Sequence, residues 1–173
     1  MSSIISDEEF FEFANMVRVP DMIGKSFTRT AKNDFDFKTV HKIQKINTER
    51  QNVFGWASVG YLPDNAAGDY KEYVDWQGDV LKNIEDIEDA AYDFTLNSRD
   101  SGTEHIGKGG KGTLIESFVS TPEKWQAMGI PTGVLPIAWW TGFHIEDPDA
   151  WDGVKKGRFK MFSVQGQGRR IPL

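Results

Sequence analysis

At 173 residues and 19.6 kDa, with 39% hydrophobic and 13% aromatic residues, the chain has enough apolar surface for one domain around one core, which excludes wholesale disorder. A net charge of −6 and a pI near 5.1 argue against a nucleic-acid groove, and the lack of cysteine excludes a disulfide framework, a thiol nucleophile and cysteine-held zinc. No apolar run approaches the roughly 20 residues of a bilayer span, and Met1–Asp7 lacks a secretory signal, so the chain reads as a soluble cytoplasmic protein without a membrane partner.

Residues Asp7 to Arg18 set Phe10, Phe11, Phe13, Met16 and Val17 at roughly helical spacing behind an acidic first turn. This predicts an amphipathic helix capped by Ser6 or Asp7 and closed by Pro20. Residues 1–37 are read as an N-terminal arm, mixed in character towards Phe37, that docks on its own domain, a second subunit or an assembly partner. Residues 38–173 form the main domain. There Val40, Ile43 and Ile46, then Val53, Gly55, Ala57, Val59 and Tyr61, predict two strands joined by a hairpin turn over Thr48–Asn52.

Asn83 to Asn97 reads as a helix with Ile84, Ile87, Ala90, Ala91 and Phe94 on its apolar face. A glycine-rich turn from Gly107 to Gly112 leads into a strand from Thr113 to Val119. Thr121-Pro122-Glu123 and Asp147-Pro148-Asp149 are helix starts, each with a capping oxygen, a proline at the first helical position and an acid behind it. Strands from Val134 to His144 and from Phe159 to Gln165 complete the pattern. Strands outnumber helices at hairpin-like spacing, so the predicted fold is mainly β (α+β), an antiparallel β-barrel flanked by a few helices.

Candidate chemistry gathers at few residues. In Phe159–Gln165, Phe162 and Val164 point one way and Met161, Ser163 and Gln165 the other, so core-facing Phe162 and Val164 would leave Ser163 on the outer wall. A serine hydroxyl attacks only when an imidazole within hydrogen-bond reach removes its proton. Of the three histidines, His41 alternates with lysines and reads as surface. His144, after Trp139-Trp140-Thr141-Gly142-Phe143, reads as a core-edge or partner-binding residue. His105, in Gly102-Thr103-Glu104-His105, precedes a Gly/Lys turn where a side chain is exposed and aimed. The run from Gly102 to Gly109 lacks the hydroxyl that a nucleotide-binding loop needs after its lysine, so ATP binding is rejected. Asp75-Trp76-Gln77-Gly78-Asp79 reads as a turn with Gly78 at positive φ and carboxylates capping the turn and the next helix. Asp147, Asp149 and Asp152 likewise read as capping residues, and neither group has the spacing of a calcium loop, so no metal or cofactor is expected. Arg169-Arg170 reads as a solvated basic tail.

Met161-Phe162-Ser163-Val164-Gln165-Gly166 is similar to the Gly-Phe-Ser-Ile-Gly-Gly run of XkdF-type phage prohead proteases, and Asp75–Asp79 to their Asp-x-Gln-Gly-Asp motif. His105, followed by the strand Leu114-Ile115-Glu116-Ser117-Phe118, resembles the context of that family's presumed base. The resemblance covers roughly Val53 to Arg170. It implies a serine endopeptidase similar in fold to herpesvirus assemblin, with Ser163 as nucleophile and His105 as base. Phage scaffold and major capsid protein would be its substrates, in proheads assembling in the host cytoplasm. It also implies a homodimer. Related folds place the third catalytic residue after the nucleophile, but Val164 to Leu173 contains no His, Asp or Glu. The orienting acid then comes from elsewhere, Glu116 first and Glu104 second. Alternatively the chain is a truncated piece, or an inactive assembly or capsid-associated module on the same fold.

Overall fold

The computed structural model of the chain describes residues 41–64, 69–75, 78–104 and 109–164 in full, and 17–18, 26–29, 165 and 169–170 through their backbone. The strands are β1 (Val17–Arg18), β2 (Ser26–Arg29), β3 (Ile43–Asn47), β4 (Asn52–Pro63), β5 (Tyr70–Glu72), β6 (Asp79–Leu81), β7 (Asp100–Ser101), β8 (Gly112–Ser120), β9 (Ile137–Ile145), β10 (Val164–Gln165) and β11 (Arg169–Arg170). Among the described residues three helices stand with them, α1 (Ile84–Asn97), α2 (Pro122–Met128) and α3 (Pro148–Lys155). The class is α+β with a mainly antiparallel sheet.

The sheet runs β3-β4-β9-β8-β7, with β5 on β4. It is not closed into a barrel, which corrects the sequence expectation. At one end the start of β3 is taken by the incoming chain: Ile43 N donates to Lys160 O at 2.7 Å and Phe162 N to His41 O at 2.9 Å. At the other end β7 is two residues long and, among the described residues, pairs with β8 alone, through Asp100↔Thr113 and Ser101↔Gly112. Between these ends β1 pairs in parallel with β10 and lies beside β7 without joining its ladder. So short an edge has too few free backbone groups to complete the circuit.

Both proline-led helices start as their sequences require. Thr121 Oγ1 accepts from Lys124 N at 3.4 Å, and Gly129 at φ 70° ends α2. Asp147 Oδ1 accepts from Ala150 N at 2.8 Å, while its other oxygen takes Lys111 Nζ at 2.7 Å. The predicted arm helix falls mostly outside the described residues. Val17 and Arg18, assigned to its end, are instead strand, paired with Val164 and Gln165. Ser26–Arg29 is also strand, bridging β6 and β11. The backbone of Arg169 and Arg170, read as a solvated basic tail, pairs with β2.

One face of the sheet carries the main core. Val53 and Ala57 of β4 and Trp139, Phe143 and Ile145 of β9 pack against Ile87, Ala90, Ala91 and Phe94 of α1 and Ala150, Trp151 and Val154 of α3. Rings connect it: Phe94 meets Trp139 at 5.6 Å and Phe143 at 6.2 Å, and Phe143 meets Phe162 at 6.0 Å. The expected alternation of β4 holds to Ala57 and then changes face. Register shifts between Trp56 and Ser58, and between Val59 and Tyr61, move Val59 into a second cluster with Leu62, Tyr73, Ala138 and Trp56. Gly60 then turns to α1, where a Cβ would lie 2.9 Å from Ile87 Cδ1.

Phe162 is 1% exposed and joins the final segment to this core. Phe162→Ala should lower unfolding stability by about 3–5 kcal/mol. Urea titration should show it as a lower midpoint with little change in slope.

Candidate functional site

Ser163 follows the buried Phe162 and precedes Val164, which packs partly against the same core. Both neighbours thus face inward, as the alternation predicted, and Ser163 is half-buried on the other side. The expected continuous strand over Phe159–Gln165 is not formed. Met161 makes an isolated bridge to Lys42, and regular pairing resumes only in β10. Ser163 therefore stands at the junction of two pairings, held from one side by His41–Ile43 and from the other by β1.

His105 lies outside the described residues, but the stems of its connection are placed. Ser101 pairs with Gly112, Ser101 Oγ donates to Gly112 O at 3.1 Å, and Lys111 N donates to Ser101 O at 3.0 Å. Asp100 Oδ1 accepts from Gly110 N at 2.6 Å, and Gly109 lies so close to this carboxylate that a Cβ there would clash at 1.9 Å. β1 pairs with β10 and also lies near β7, so the Ser163 segment and the β7 stem both approach this strand.

Of the expected acids, Glu104 is half-buried with its backbone at φ 55°. Glu116 is exposed on β8, where its Oε2 accepts from Trp140 Nε1 at 3.3 Å. That contact sits on the sheet face opposite the main core. The neighbouring Ser117 points the other way, accepting from Trp139 Nε1 at 3.0 Å.

The Asp75–Asp79 motif is a tight turn. Asp75 Oδ1 accepts from Asp79 N at 2.8 Å, Asp75 O from Gly78 N at 3.0 Å, and Gly78 has φ 81°. The turn role and the positive φ were expected; the helix-capping role is not seen. Asp79 lies within β6, and α1 begins behind Asn83, whose side chain makes no capping bond. Among the described residues no group of three metal-ligating side chains comes together, and no helix is long and apolar enough to cross a membrane.

His41, expected at the surface, is 7% exposed, with its ring 5.5 Å from that of Tyr73. The cause is the backbone pairing of His41 with Phe162, which draws it under the Ser163 segment; nothing in the alternation with lysines signals this. Burial pushes its imidazole from the ordinary 6.5 down to about 4, partly offset by a hydrogen bond to the Trp56 backbone. His144, expected at a core edge or a partner surface, is half-buried on the sheet face away from the main core. Its Nδ1 lies 2.8 Å from Arg50 O and 3.0 Å from Asn52 Oδ1. A carbonyl only accepts, so Nδ1 donates there, beside the cleft lined by residues 48–52 and Ile115.

A family model described as "Putative phage serine protease XkdF" matches residues 39–172. The chain is also 28% identical over 134 residues to "Uncharacterized protein YqbD" of Bacillus subtilis (strain 168), an alignment covering 78% of this chain and 37% of that protein. The chain thus spans just over a third of that relative's length. No solved structure matches the chain.

The burial of His41 gives stability a pH dependence. With a folded value near 4 against 6.5 unfolded, the unfolded chain binds the extra proton between these limits. His41's contribution is therefore complete above about pH 6.5 and lost as pH falls towards 4, by about 3 kcal/mol. Denaturant titrations at pH 7, 5.5 and 4 should show this loss in the native chain, and a difference curve against His41→Gln should isolate it.

Proposed function

The chain belongs to the XkdF family of phage serine proteases, and from that premise we propose that it is a prohead maturation protease cleaving scaffold and capsid-protein peptides inside an assembling phage head in the host cytoplasm. Ser163 attacks the scissile carbonyl. His105 takes the hydroxyl proton and returns it to the leaving amine, and backbone N–H groups stabilise the oxyanion. The observation that carries this reading is the family match over residues 39–172, together with Ser163 held between the inward-facing Phe162 and Val164. Glu116 has its carboxylate on Trp140, so the reading rests on the Ser163–His105 pair. A homodimer is part of the same reading, because assemblin-like proteases order their sites on dimerisation.

The test uses an active-site-directed phosphonate and a scaffold-peptide cleavage assay. Ser163 should be the labelled residue. Ser163→Ala and His105→Ala should each abolish cleavage, and the double variant should be no worse than either, because the two act as a unit. Glu116→Gln should cost less than about tenfold, a small share of what a general base contributes. A folded chain that takes no label and cleaves no scaffold would instead support a non-catalytic assembly module. Sedimentation at tens of micromolar, roughly the middle of the usual affinity scale, should show the dimer; a strict monomer would count against it.

A further inference from the structure

We propose that the sheet face opposite the main core holds a recognition site for the guanidinium or ammonium group of a basic peptide segment, built from Trp56, Trp140, Phe118 and Glu116. Three adjacent strands bring these residues together in register: Trp56 of β4 is opposite Trp140 of β9, and Phe118 of β8 is opposite Trp140 on the other side. Trp56 and Trp140 meet edge to face, with centroids 5.1 Å apart and planes at 76°, so together they form two walls of a corner. Glu116, one row along and opposite Gly142, receives the Trp140 indole on one oxygen. Glu116 is exposed, with its carboxylate beside the ring walls. Aromatic faces are electron-rich, and a carboxylate next to them selects a cation over an anion or a neutral group.

Charge complementarity identifies the occupant. Two of this face's rings already hold ammonium groups of the chain itself: Lys45 Nζ lies 5.8 Å from the Phe54 centroid and Lys124 Nζ 6.0 Å from that of Phe118. Lys124 is committed to Glu88 and Tyr92, so it is anchored at the rim. The Trp56–Trp140 corner has the same chemistry plus Glu116. The whole chain carries −6, which favours a cationic partner and opposes a phosphate backbone. An arginine fits best, because its planar guanidinium stacks on one indole while its N–H fork donates to the carboxylate. The site stands apart from the protease reading, since binding needs neither Ser163 nor His105.

The test is a titration of the ¹⁵N-labelled chain with N-acetyl-glycyl-arginyl-glycine amide, and with its citrulline analogue, which keeps the shape and loses the charge. The indole N–H signals of Trp56 and Trp140 are assigned from Trp56→Phe and Trp140→Phe, which keep a ring in each position and so protect the fold. The arginine peptide should shift both signals saturably, the citrulline peptide should not, and Glu116→Gln should raise the half-saturation concentration at least threefold. No saturation up to about 10 mM, beyond the weak end of the affinity scale, would overturn the proposal. So would equal response to both peptides. Shifts of the same signals on raising protein concentration alone would show that a second copy covers this face, and would equally overturn it. Ser163→Ala should bind as the native chain does, so a failed protease assay and a failed cation site remain separate results.

Discussion

The contact on which the rest depends is the Phe162 ring seated on Gly55. A Cβ at Gly55 would lie 2.8 Å from that ring and 2.8 Å from Lys42 O, so β4 must be bare at this point for the final segment to cross it. The crossing does three things together. It fills the core beside Phe143, it gives the start of β3 a backbone partner, and it turns the next residue, Ser163, away from the core. A side chain at position 55 would push the ring out and release the serine's position as well as the packing. The position of the candidate nucleophile is therefore a consequence of core packing on the opposite face of its own segment.

The same sheet serves two purposes because its register shifts. Up to Ala57, β4 sends small residues inward, which lets α1, α3 and Phe162 approach closely. The irregularity after Trp56 then hands Val59 to the second cluster. Without that shift Val59 would remain on the inward face, and Trp56 would lack the patch of Leu62, Tyr73 and Ala138 that supports its ring. Fixing one side of the Trp56 ring is what leaves the other side rigid and free to form a corner with Trp140. Gly142 contributes in the same way, since a Cβ there would strike the Phe54 ring at 2.7 Å and crowd Glu116.

Much of this was legible in the chain. The helix starts at Thr121-Pro122 and Asp147-Pro148, the hairpin at Thr48–Asn52, the apolar face of α1 and the glycine of Asp75–Asp79 all follow from local rules, because each depends on residues within a turn or two of itself. The inward set of Phe162 and Val164 followed from period-two alternation. What escaped depends on residues far apart in sequence. His41 is buried because residues 160–162 come to lie on it, and no neighbouring residue records that. The strand state of Val17–Arg18 comes from pairing with Val164 and Gln165, which overrides a local helical spacing. The open sheet escaped too, because closure depends on the length of β7, and a two-residue strand leaves almost no trace in a hydrophobic pattern. Trp56 and Trp140 were visible only as tryptophans; their perpendicular meeting is a matter of register.

These constraints bear directly on how a serine there would be activated. Ser163 is held through its own neighbours by backbone pairing and core packing, so it has little freedom to seek a base. Under the proposed function the base would come from the β7–β8 connection. That connection is pinned at both stems, by the Ser101–Gly112 pairing and by the Asp100 carboxylate on Gly110 N, with Gly109 pressed against the same carboxylate. His41, paired with the segment that leads into Ser163, is itself poorly suited as a base. Its buried ring, with a proton affinity pushed to about 4, would accept the serine proton too weakly near neutral pH. It serves the site by holding Phe162 through its carbonyl, and it does so best when uncharged.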